Sequence, residues 1–212
     1  MQTLTTPHLV LEPLGVAHAE EMFALLREPA LYTYLDYGPP ASLDHLRYNY
    51  AMVEAHESSG ETTSFGERWL NWVARPTSGD PGQAQGGSAQ APVGYVQATI
   101  SVPGIAWIGY VFAQPHWGRG HAHAATQAMI EHLAEHYAVR RCLATVEAEN
   151  HRSIRLMARL GFREATAEEA SGHTLSATER LFVLELPKHN MPAPDPSAPS
   201  ASDPSASDNF TR

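Results

Sequence analysis

Cysteine is nearly absent from the chain. Cys142 stands alone among 212 residues, so no intrachain disulfide can form and packing must hold the fold. It lies in an apolar run, Cys-Leu-Ala-Thr-Val, where burial is expected rather than reactivity. Basic clusters are absent too. Lys and Arg number 14 against 23 Asp and Glu, for a net charge of −9, and without grouped cations broad nucleic-acid binding is excluded. An acidic surface suits a cationic or amine partner, and it also serves plain solubility. No apolar run is long enough to span a bilayer. Residues 1–14 lack the basic start and apolar core of a signal peptide, so a soluble cytoplasmic protein is expected. Complete nucleotide motifs are missing: the one Gly-x-Gly lacks its third glycine and is not followed by Lys-Ser/Thr, so Rossmann and P-loop chemistry fail.

What is present centres on residues 105–137. Ile105, Trp107, Ile108, Tyr110, Val111 and Phe112 are β-branched or aromatic and lie between turn residues, which predicts a strand. Ala125, Met129, Ile130, Leu133 and Tyr137 recur at helical spacing, opposite Gln127, Glu131 and Glu135. Between them runs Trp117-Gly118-Arg119-Gly120-His121-Ala122. The first N–H groups of a helix have no partner within it, and the helix dipole makes that end positive. Two glycines let the backbone turn tightly and let an anion come close. With the charge of Arg119 this is a phosphate or pyrophosphate cradle; a strand-to-helix turn that binds nothing has the same local pattern.

The rest of the chain predicts a single α/β (α+β) domain around a central sheet. A first strand spans 8–14, helices span 17–27 and 42–57 (the second behind a Ser42 N-cap), and strands span 68–74, 92–102 and 105–113. After the cradle helix come a fifth strand at 141–148, a helix at 151–160 and a last strand at 179–186. Residues 31–40 form a Tyr-rich loop, 58–66 a polar connection and 76–91 a mobile Gly/Ser/Gln-rich hairpin loop. Residues 1–190 make the domain. The remainder, 191–212, is rich in Pro, Ser, Ala and Asp and is expected to be a disordered tail.

A second motif lies some thirty residues past the cradle: Asn150-His-Arg-Ser153-Ile-Arg-Leu-Met157-Ala-Arg-Leu-Gly161-Phe162. With the first, it resembles the GNAT superfamily of acyl-CoA-dependent N-acetyltransferases. Family members carry a strand, a Gln/Arg-x-x-Gly-x-Gly/Ala loop, and a later Asn-x-x-Ala/Ser helix ending in Gly-Phe. Trp117, Gly120 and Ala122 fill the loop pattern, with Trp where Gln or Arg is commoner. The Trp-Gly-x-Gly form is similar to the RimJ/RimL-like subgroup, whose members acetylate ribosomal-protein N-termini. The resemblance implies a GNAT-like mixed sheet flanked by helices, with antiparallel early strands and a splay between the fourth and fifth strands. It implies acetyl-CoA as co-substrate, held by backbone amides of Gly118, Arg119, Gly120, His121, Ala122 and His123 and by the Arg119 side chain. It also implies pairing of the pantetheine arm with backbone of Val111 and Ala113, and Asn150 near that arm. Transfer of the acetyl group to a primary amine by direct attack follows from the same source, the acceptor being a protein N-terminus or a small-molecule amine. A homodimer rests on resemblance alone.

Acyl transfer also needs a proton for the leaving thiolate and a base for the amine. Many members have a Tyr acid where Met157 stands here; the subgroup places a Ser at Ser153, which becomes the candidate catalytic acid. Many have a Glu at the place of Trp107, so the base falls to Glu67, Glu147, Glu149, His173 or a water. These two departures leave open a non-catalytic acyl-CoA sensor or scaffold. His132-Leu-Ala-Glu-His136 fits a zinc-peptidase pattern, but no third ligand is identified and no metal is expected; the pair is expected to flank the apolar stripe toward solvent. Asn150 doubles as a helix N-cap, and the tyrosines at 32, 34 and 37 are half-buried packing or an acceptor wall.

Overall fold

The structure is a computed structural model that describes residues 1–59, 66–77 and 90–187. The tail at 191–212, most of the loop at 76–91 and most of the connection at 58–66 lie outside the described residues. Among the described residues the strands are β1 (Leu4–Thr5), β2 (Leu9–Pro13), β3 (Arg68–Pro76), β4 (Gly94–Val102), β5 (Ile105–Phe112), β6 (Arg141–Glu147), β7 (Arg163–Glu164) and β8 (Glu179–Glu185). The helices are α1 (Ala19–Leu26), α2 (Leu43–Ser59), α3 (His121–His136), α4 (His151–Arg159) and α5 (Ala167–Ser171). The strands form one mixed sheet in the order β1-β2-β3-β4-β5-β6-β8-β7. Every neighbouring pair is antiparallel except β5 with β6, which run parallel.

The alternation of apolar residues along the strands assigns the two faces. On one face Leu70, Trp72 and Ala74 of β3, Val96 and Ala98 of β4, and Ala106, Ile108 and Phe112 of β5 pack with Ala125, Met129 and Leu133 of α3 and Met157 of α4. On the other face Val73 of β3 meets Met22 and Leu26 of α1 and Leu46 and Tyr50 of α2, with Tyr95 and Val111 at its edge. A third, smaller cluster covers that face beyond β5, where Leu143, Leu181 and Val183 gather Ile105, Trp107 and Leu175. Helix starts follow the expected chemistry: Ser42 Oγ accepts from His45 N–H, and Thr166 with Glu169 forms a reciprocal capping box at α5.

Three elements were not expected. β1, β7 and α5 are short, and the two strands form by pairing with residues distant in the chain, Leu4 opposite Leu11 and Arg163 opposite Val183. The expected solvent placement of the histidine pair on α3 is also corrected. His136 is exposed, but His132 is buried: it lies edge-on to Trp72 at 5.7 Å, and its Nδ1 meets the Gln2 amide at 3.2 Å. Burial and the neighbouring His136 hold its pKa below the ordinary histidine value. Among the described residues no group of three or more His, Cys, Asp or Glu is placed to hold a metal ion, and no helix is long and apolar enough to cross a membrane.

Candidate active site

The sheet is built to come apart at one place. β5 and β6 pair only through Ile105, Ala106 and Trp107, opposite Arg141, Cys142 and Leu143. Beyond Trp107 the two strands separate, while β5 stays zipped to β4 as far as Phe112. Among the described residues, one backbone edge of β5 is thus left without a strand partner over Ile108–Phe112. Parity decides which groups face the opening, because polar groups of successive strand residues point to opposite sides. Gly104 C=O accepts from Arg141 N–H on the β6 side, and Ala113 N–H donates to Val93 C=O on the β4 side, at 2.9 Å. Even-numbered residues therefore face the opening. Val111, expected to present its backbone there, turns it to β4 instead, and Ala113, of which the same was expected, gives its N–H to Val93 and its carbonyl to His116 N–H. The groups in the opening are those of Ile108, Tyr110 and Phe112, and the Phe112 carbonyl is already taken by Trp117 Nε1 at 2.6 Å.

The loop follows directly. Gly118 and Gly120 hold φ of +76° and +85°, the left-handed region that glycine enters without strain. A Cβ built at either would meet nothing within 4 Å, so the space above the loop is open. Gly120 is the N-cap of α3 and, as a glycine, offers no capping side chain. The first intrahelical bond runs from Ala124 N–H to the Gly120 carbonyl at 2.9 Å; the N–H groups of His121, Ala122 and His123 precede it and have no acceptor within the helix. Arg119 is exposed beside them. The indole of Trp117 braces the loop, bonded to β5 below and carrying the Arg152 guanidinium 3.9 Å from its ring centre. The His121 side chain is buried and its ring centre lies 6.0 Å from that of His116, which leaves its backbone for the loop.

Helix α4 closes the same face. Asn150 caps it, its Oδ1 accepting from Ser153 N–H at 3.1 Å, so the cap role is in place. The Ser153 hydroxyl is half-buried and close enough to act on the Tyr110 phenol, whose pKa burial pushes up to about 12 while Ser153 draws it back. Met157 is fully buried in the core. On the opposite face the His173 ring stands edge-on to Trp107 at 5.1 Å, at the last paired residue before the opening. Glu147 ends β6, on the face that its strand-mate Leu143 shares with Trp107. Glu67 is remote: it precedes Arg68, which pairs through Ile100 with Ala106 at the closed end, and it accepts from Trp69 Nε1. Glu149 is exposed on the turn before α4. The thiol of Cys142 is buried, and that pushes its pKa up to about 12, so it offers no nucleophile.

An open strand edge, an uncapped helix start with two left-handed glycines, and hydroxyls between them fit a long ligand with a diphosphate at one end and hydrogen-bonding amides along its arm. The family agrees. The Acetyltransferase (GNAT) domain matches residues 8–163, and the chain belongs to that family. Its members are acyl-CoA-dependent N-acetyltransferases of the EC 2.3.1 type, with acetyl-CoA as co-substrate. One relative is the uncharacterised protein YkkB of Bacillus subtilis (strain 168), 26% identical over 127 residues, 57% of this chain and 74% of that one. Solved structures share the fold. The ribosomal L7/L12 α-N-protein acetyltransferase RimL in complex with coenzyme A has a TM-score of 0.67 at 16% identity, over 89% of this chain and all of that one. The microcin C7 self-immunity acetyltransferase MccE with acetyl-CoA and AMP has a TM-score of 0.64 at 14% identity, over 85% and 94%. A ribosomal-protein-serine acetyltransferase-like structure from Vibrio cholerae has 0.64 at 18%, over 87% and 98%.

Proposed function

We propose that the protein transfers acetyl from acetyl-CoA to a primary amine by direct attack in the opening between β5 and β6, acting in the cytoplasm. The observation that carries this is that the unpaired edge of β5 leads within a few residues to the uncapped start of α3. The diphosphate takes the amides of 118–123, with the Arg119 charge beside them. The arm adds to β5 as an extra strand through backbone of Ile108 and Tyr110 and the Phe112 N–H. The thioester then lies by Ser153, the acid that returns a proton to the departing sulfur. The amine enters from the opposite face, where His173 and Glu147 are the groups in place to take its proton. With Cys142 buried, no cysteinyl acyl-enzyme intervenes. The acceptor is a protein N-terminal amine, as in the name of the RimL structure, or a small-molecule amine. Either arrives as a cation, which a net charge of −9 favours. A homodimer is part of this reading, and mass measurement in solution tests it.

The test is free-thiol release from acetyl-CoA across a panel of N-terminal peptides and small amines, with the acetylated product identified by mass. Release that depends on one acceptor class supports the proposal and names the substrate. Tight acetyl-CoA binding with no release under any acceptor would favour a sensor. Ser153→Ala is expected to lower kcat about 10- to 100-fold with acetyl-CoA binding kept; unchanged turnover would remove Ser153 from the mechanism.

A further inference from the structure

The Tyr110 phenol oxygen is buried and makes no hydrogen bond. Such a group costs stability when left unmatched, and a phenylalanine would fill the same space without that cost. Nothing in the packing of this face calls for the oxygen: Tyr110 packs against the same apolar core as Trp117 and Ile154. The residue is also the one whose backbone stands midway along the unpaired edge of β5. Its phenol interacts with the Ser153 hydroxyl on α4, although the pair falls short of hydrogen-bond geometry. A buried donor without an acceptor, at the lip of an opening and beside a second hydroxyl, is a donor that waits for a ligand atom.

We infer that Tyr110 Oη donates a hydrogen bond to the sulfur of the coenzyme A leaving group, alongside Ser153. This rests on the placement of acetyl-CoA in the β5–β6 opening. In the step, the amine nitrogen forms the bond to the acyl carbon, the carbon–sulfur bond breaks, and its electron pair stays on sulfur. The amine proton leaves to a base on the far face. The sulfur takes its proton through Ser153, which solvent replenishes. Tyr110 keeps its own proton throughout. A thiol ionises near 8.5, well below the phenol, so Tyr110 lowers the energy of the thiolate as a fixed dipole in a water-poor site and does not titrate in the working pH range.

Tyr110→Phe tests this, with three readouts. Melting temperature should hold or rise, since only an unmatched oxygen is removed. The kcat should fall about 10- to 100-fold with KM for acetyl-CoA little changed, and the shape of the pH–rate profile should be kept. Binding of coenzyme A at pH 9 should be compared with the analogue that carries hydrogen in place of the thiol. Wild type should prefer coenzyme A, and Tyr110→Phe should lose about tenfold of that preference. If wild type binds and turns over but Tyr110→Phe matches it in kcat and in the binding ratio, the inference is overturned and the placement of acetyl-CoA stands. If wild type binds neither compound, the placement itself fails and the inference with it.

Discussion

Gly120→Ala separates the stability of the loop from its use. The native φ is +85°, so alanine must be forced into the left-handed region at roughly 1–2 kcal/mol. No clash adds to this, because a Cβ there meets nothing within 4 Å. Helix α3 stays anchored by Ala125, Met129 and Leu133, all at 0% exposure. A fold of this size loses about 2–4 °C per kcal/mol, so the melting temperature should fall by roughly 2–8 °C. The same methyl adds bulk at the N-cap of α3, beside the amides to which the proposed function assigns the diphosphate. Losing one charge-assisted hydrogen bond costs about 1.5–3 kcal/mol, a drop in acetyl-CoA affinity of about 10- to 150-fold. Gly66→Ala is the control. Gly66 has φ +77° and an equally open Cβ position, so it should show the thermal loss and none of the affinity loss. Calorimetric titration and thermal scans read both quantities. A Gly120→Ala protein with the expected thermal loss and unchanged affinity would refute the cradle.

Three further outcomes are expected. Arg119→Glu reverses a charge beside the loop; with about 1 kcal/mol per exposed unit charge at contact, acetyl-CoA affinity should fall about 30-fold, less at high salt, and an unchanged constant would show that the side chain plays no part. Gly94→Ala places a Cβ 2.3 Å from the Val111 carbonyl oxygen and 2.6 Å from the Phe112 ring, so it should destabilise the β4–β5 pair by about 3 kcal/mol or more, read by urea titration; a loss under 1 kcal/mol would contradict that contact. Burial raises the folded-state pKa of Cys142 to about 12 above an unfolded value near 8.5; its contribution is complete below about pH 8.5 and is lost as pH rises toward 12, because the unfolded chain releases the proton first. Cys142→Val should flatten the fall in stability between about pH 9 and 12, and a slope the same as wild type would assign that fall to other groups.

What could be read before the fold was local chemistry. Glycine spacing marks the loop, Ser42 and Asn150 mark caps, and helical periodicity over Ala125, Met129 and Leu133 marks the buried stripe; the structure has all of these. What could not be read depends on partners far along the chain. The parity of β5 is set by Ala113 bonding to Val93, and an error of one residue moves the open edge from Val111 to Tyr110. The burial of His132 depends on Gln2 and Trp72 arriving from β1 and β3, which no periodicity within α3 reveals. The approach of Tyr110 to Ser153 likewise joins a strand to a helix forty residues on. α5 is a different case: Thr166-Ala-Glu-Glu169 is a capping box in plain sequence, and the signal was there to be used.

Backbone amide shifts on titration with acetyl-CoA test the central claim most directly. Binding in the β5–β6 opening predicts the largest shifts at 118–123 and at Ile108, Tyr110 and Phe112, with Val111 and Ala113 moved less and the groove by Thr3, Thr5 and His136 unmoved. Shifts centred on that groove, or none at saturating acetyl-CoA, would contradict it.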